Sequence, residues 1–194
     1  VTAYLMRRSG TEAVCLLKVD GNAVVRFVPV DVGQRRLLGV GAGATALLAA
    51  LEPARADDMI RAVAPGLDRY PRLNADSLRA AVALVRRSGF AISQGTVVDD
   101  GFGMGRALPA SEGTPHLAIS IAAHATMVTE SRIAAWKKVI VEEVQAAGPG
   151  RARGGRTLCP RRPGPGPAGP AAHCPAAGRR RQPRTARPAL SGTG

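Results

Sequence analysis

Val32-Gly33-Gln34-Arg35-Arg36-Leu37-Leu38-Gly39-Val40-Gly41-Ala42-Gly43-Ala44-Thr45-Ala46-Leu47-Leu48-Ala49-Ala50-Leu51 joins a turn, a basic pair and a glycine-paved helix start in one short stretch. Gly39, Gly41 and Gly43 let the backbone come close to a ligand. The Ala/Leu run behind them is a strong helix former, so its unsatisfied N–H groups point at whatever lies in front. The stretch reads as a pocket for a small anion or effector. The same glycines also suit a plain tight strand-to-helix turn, and the residues by themselves leave both readings open.

Working outward, Val14 to Val19 and Val24 to Val28 are β-rich runs on either side of Asp20-Gly21-Asn22, the signature of a hairpin. Ala44 to Leu51 reads as a helix closed by Glu52-Pro53, and Ala54 to Val63 as a second, stopped by Pro65-Gly66. Asn74 is placed to cap a third helix, Ala75 to Arg87, whose Leu78, Val82 and Val85 share one face before Ser88-Gly89 ends it. Phe90 to Ile92, Gly103 to Leu108 and His116 to Ala122 read as strands, with a turn at Ser111-Glu112-Gly113. A last helix, Thr129 to Ala146, has Thr129 as its cap and sets Ile133, Trp136, Val139, Ile140 and Val144 at helical spacing, with Trp136 as a packing residue. Strands at both ends and helices between them predict an α+β fold, an antiparallel sheet flanked by helices, and not a doubly wound nucleotide fold.

The formal net charge of +13 misleads about the folded part. Gly148 to Gly194 holds ten Arg and no Asp, Glu or Lys, leaving 17 basic against 14 acidic residues before it. Nucleic-acid or membrane affinity inferred from charge therefore attaches to the tail. That tail has two Leu and no Ile, Val, Phe, Tyr, Trp or Met, too little apolar surface to fold, so residues 148–194 are expected to be a disordered Arg/Pro/Gly/Ala-rich tail. Its composition also matches GC-rich DNA read in the wrong frame, and a frameshift product is the favoured expectation. Cys15, Cys159 and Cys174 are too few and too scattered for a disulfide framework, which points to a reducing cytoplasm. No run approaches the roughly 20 apolar residues that cross a bilayer, so no membrane is expected as a partner.

Three segments carry a family resemblance. Val32 to Leu51, Arg86-Arg87-Ser88-Gly89-Phe90-Ala91-Ile92 and Leu117-Ala118-Ile119-Ser120-Ile121-Ala122 resemble, in order and spacing, the GAF-like effector-binding domain of the isocitrate-lyase-regulator (IclR) family of bacterial transcription regulators. The likeness covers about Gly10 to Ala146. It implies a domain over residues 10–147, a small organic, anionic effector, and a homodimer or homotetramer. It also implies DNA contact only through a winged helix-turn-helix, joined to this domain by a linker helix and missing from this chain. On that scheme residues 1–9, with Arg7 and Arg8 among Leu5 and Met6, are the end of the linker helix.

Matched motif to motif, the effector-binding positions fall on Gly41, Ala42 and Gly43 at the helix start and on Ser93, Gly103 and Ser120 in strands, with Ala122 two residues on, on the same face. In family members that bind small oxo-acids the first strand position is acidic and the second is cysteine. Ser93 and Gly103 depart from that, and imply a roomier pocket for a bulkier or more anionic ligand such as an aromatic acid.

Each position also has a plainer reading. Gly101, Gly103 and Gly105 suit a mobile loop or a bulged strand, and Ser120 suits a bond to backbone. Arg35 and Arg36 read as solvated arginines beside a turn, and Asp99-Asp100 as a turn. His116, His124 and His173 show neither nucleophile–base nor metal-ligand spacing, so no enzyme, cofactor or metal is expected. Two further function classes share these residues. One is a free-standing GAF-like small-molecule sensor; the other is a basic protein binding nucleic acid through its Arg-rich tail.

Overall fold

The structure is a computed structural model, and it describes residues 1–21, 30–110 and 113–146. The expected strand Val24 to Val28 and the Arg-rich tail from Gly148 onward lie outside the described residues.

Among the described residues, six strands form one antiparallel sheet in the order β3-β2-β1-β6-β5-β4. They are β1 (Thr2–Ser9), β2 (Glu12–Asp20), β3 (Arg35–Leu37), β4 (Ala91–Gln94), β5 (Gly101–Ala107) and β6 (Leu117–His124). Helices α1 (Ala42–Ala49), α2 (Pro53–Val63) and α3 (Ala75–Ser88) follow β3, and α4 (Glu130–Ala146) closes the described chain. The expected α+β class is the observed one.

Residues 1–9 correct the sequence reading: they are not the end of a linker helix but β1, paired with β2 on one edge and β6 on the other. The reason is burial on both faces. Thr2, Tyr4 and Met6 are buried on one side, while Ala3 and Leu5 pack against a second cluster on the other. Such a strand shows no polar alternation to betray its period. β2 pairs along its length with β1, across the Gly10 turn. β3, which the sequence reading passed over as part of a turn, binds the start of β2.

The two faces of the sheet carry different layers. α1 is buried at all eight positions and lies on the face of Tyr4 and Met6, held there by α2 and α3. α4 covers the opposite face through Ile140 and Val144, with Trp136 at 5.9 Å from the Phe102 ring, a packing role as expected. Asn74 caps α3 reciprocally with Ser77, and Gly89 ends that helix at φ 75°. Thr129 Oγ1 accepts from the Arg132 N–H at the start of α4. Arg86 explains its own motif: its guanidinium donates to Ala49 O at 3.2 Å and Leu51 O at 2.7 Å, so α3 clamps the C-terminal end of α1.

Candidate functional site

The glycine stretch builds the N-terminus of α1 by backbone means. Gly39 and Gly41 have φ of 90° and 85°, and Gly41 is an N-cap with no side-chain cap and no acidic residue in the turn behind it. Thr45 Oγ1 donates toward the carbonyls of Gly39 and Gly41, each at 2.9 Å, which fixes the turn from inside the helix. The leading N–H groups of α1 are thus left for whatever faces them.

Close approach of α1 to the sheet depends on the glycines of β5. Phe102 and Met104 point toward α4, while Gly103 and Gly105 lie under the first turn of α1. A Cβ at Gly105 would meet the Ala42 carbonyl carbon and oxygen at 3.0 Å and Gly43 N at 3.1 Å. Neither a mobile loop nor a bulge is what these glycines make: β5 pairs regularly with β4 and β6. Gly103 also differs from the expectation that it enlarges the pocket. The space its side chain would take is bounded by Ala42 Cβ, 3.2 Å from a built Cβ.

A cleft of about 550 Å³, open mouth included, lies between this helix start, the sheet and the loop after β4. All seven sequence-predicted positions line it: Gly41, Ala42, Gly43, Ser93, Gly103, Ser120 and Ala122. Ser120 is buried with its Oγ beneath Gly43, 2.8 Å from where a Cβ would stand. Ser93 Oγ is paired with Thr96 Oγ1 at 2.6 Å, at the foot of a loop whose Val97 and Val98 also face the cleft.

Sequence reasoning missed Tyr4, Met6 and Arg36. Tyr4 and Met6 were lost with β1, because Ala3 and Leu5 between them are apolar too and hide the strand period. Arg36, read as solvated, borders the cleft, whereas Arg35 faces outward to Glu12 Oε2 at 3.1 Å. Asp99-Asp100 is a turn, with Asp99 3.4 Å from exposed Arg72. Among the described residues no group of three or more His, Cys, Asp or Glu is arranged to hold a metal. No described helix is long and apolar enough to cross a membrane.

Burial pushes the Tyr4 phenol up to about 12; the Thr2 hydroxyl pulls the other way, and the charges of Asp20 and Asp31 add to the rise. A folded-state value above the ordinary 10.0 means the native state keeps this proton after the unfolded chain has lost it. Stability from this group is therefore full below pH 10 and falls as pH rises toward 12. Two units correspond to roughly 2–3 kcal/mol. Urea unfolding at pH 9 and pH 11.5 checks it: the loss between the two should shrink by about 2 kcal/mol in Tyr4→Phe, since the folded-state phenol is only partly ionised at pH 11.5.

The sequence matches the family described as "Bacterial transcriptional regulator IclR C-terminal" over residues 1–148. No curated protein matches it. Among solved structures, an IclR-family transcriptional regulator from Rhodococcus sp. is 28% identical, with a TM-score of 0.63 over 76% of this chain and 56% of that one. The Thermotoga maritima IclR is 23% identical, TM-score 0.66, over 74% and 58% of the two chains. The Agrobacterium tumefaciens repressor BlcR is 21% identical, TM-score 0.60, over 75% and 57%. The chain thus spans somewhat over half the length of these regulators. With this fold, and a family match that takes in every described element, the chain belongs to the IclR family of bacterial transcriptional regulators, whose C-terminal domain it carries.

Proposed function

We propose that the cleft at the start of α1 is an effector site: it takes a small organic acid and lets the regulator's DNA-binding part respond to it. The observation that carries this reading is convergence. Seven positions scattered from Gly41 to Ala122 meet on one concave surface at an uncapped helix N-terminus. The helix dipole and free N–H groups favour a carboxylate. Val30, Val40, Val97 and Val98 offer an apolar wall for the rest of the ligand. The polar side chains on the walls are hydroxyls and the Arg36 guanidinium, which suits binding rather than turnover.

On this reading the protein acts in the cytoplasm as a homodimer or homotetramer. The effector binds one arrangement of the cleft better than another, and subunit packing passes that bias to winged helices on DNA. Calorimetric titration tests the site. Benzoate, pyruvate and 4-oxopentanoate are titrated into the native chain and into Ala122→Leu, which adds bulk to the cleft from a strand position. An acid that binds the native chain should lose at least tenfold in affinity in the variant, with a cooperative thermal melt showing that the variant still folds. Equal affinity in both would place the ligand elsewhere.

A further inference from the structure

Tyr4 of β1 is among the residues that line the cleft, directly opposite Ser120 of β6 in the cross-strand register. It is 4% exposed, and its hydroxyl has no hydrogen-bond partner among the described residues. The nearby Thr2 Oγ1 donates to Asp20 Oδ1 at 3.1 Å and does not meet hydrogen-bond geometry with the phenol. A buried hydroxyl left unpaired is a standing loss of stability, and a phenylalanine would fill the same space without it. A tyrosine here is explained when something entering the cleft supplies the acceptor.

We infer that Tyr4 is a specificity-determining residue of the cleft, its phenol donating a hydrogen bond to a neutral acceptor oxygen of the ligand, remote from the ligand's carboxylate. This rests on the effector-site reading above. The two ends of the cleft differ in charge preference. α1 offers uncapped N–H groups to an anion, whereas the groups that act on the phenol include the carboxylates of Asp20 and Asp31, which disfavour a second negative charge. Burial keeps the phenol protonated and a donor throughout the physiological range. The fitting ligand is an organic acid with an apolar body and a carbonyl, ether or hydroxyl at its far side.

Matched probes isolate that oxygen: cyclohexanecarboxylate against 4-oxocyclohexanecarboxylate, and pentanoate against 4-oxopentanoate, titrated into the native chain and Tyr4→Phe. In at least one pair the native chain should prefer the oxo acid by roughly 3- to 10-fold, and the preference should vanish in Tyr4→Phe. The ligand-free variant should also melt roughly 2–6 °C higher, since the unpaired hydroxyl is gone. A lower melting temperature would make the hydroxyl a structural group and overturn the inference. So would oxo acids that bind native and variant chains with the same preference, leaving the effector site itself intact. Failure of all four acids to bind the native chain would overturn the site reading, and this inference with it.

Discussion

Gly105→Val should lower the unfolding free energy by about 3 kcal/mol, although valine is by itself far the better strand residue. The strand gains from the change: glycine gives up more chain entropy on folding and packs nothing on the sheet. What opposes it is the backbone of α1. A Cβ at Gly105 already stands 3.0 Å from the Ala42 carbonyl and 3.1 Å from Gly43 N, so the γ-methyls of valine have no room unless the first turn of α1 lifts. Backbone held by a buried helix cannot swing aside as a flexible side-chain tip does. Urea unfolding of native, Gly105→Val and Gly103→Ala chains is the measurement. Gly103→Ala should be milder, because its Cβ would meet the Ala42 methyl at 3.2 Å and not a peptide unit. A Gly105→Val chain as stable as the native one would mean that α1 does not rest on β5.

Gly39→Ala should cost about 2–4 kcal/mol, from two sources that can be separated. One is the backbone: φ at Gly39 is 90°, and an L side chain in the left-handed region loses about 1–2 kcal/mol. The other is contact, since a Cβ there would fall 2.7 and 2.8 Å from the two methyl groups of Leu78 on α3. Leu78→Ala, a core truncation at 1% exposure, removes those methyl groups. In that background the added cost of Gly39→Ala should shrink to the backbone part and the milder contact with the Leu48 methyl at 3.3 Å, giving a coupling energy of about 1–2 kcal/mol in the double-mutant cycle. The same increment in both backgrounds would show that Leu78 and position 39 do not compete for space.

The middle of the chain is the part most legible in its sequence. Asn74, Gly89 and the Leu78/Val82 face announce α3 because capping and amphipathic period are local properties. The pocket positions on α1, β4, β5 and β6 were reachable through the family resemblance, which supplies the long-range register that propensity lacks. β1 was illegible for a physical reason: buried on both faces, and ending in Arg7 and Arg8, it offers neither polar alternation nor a turn signal near its start. Tyr4 was hidden with it. β3, three residues long, is too short for any period to show. The purpose of Gly105 is a matter of what lies above the strand, and no pattern within β5 encodes the arrival of α1.

The central place of β1 governs when the domain can come into being. Thr2 pairs with Ala122 and Arg7 with Leu117, so the middle of the sheet joins the start of the described chain to its far end. While the nascent chain emerges, β1 and β2 have only each other, and a lone hairpin is marginal in water. α1 is made early but has only β1 and β2 beneath it until β5 and β6 follow it out. High contact order of this kind makes assembly slow and late, and leaves the apolar α1 waiting on the last strand. The cleft is therefore among the last features to form, and it forms only when nearly the whole domain has been synthesised.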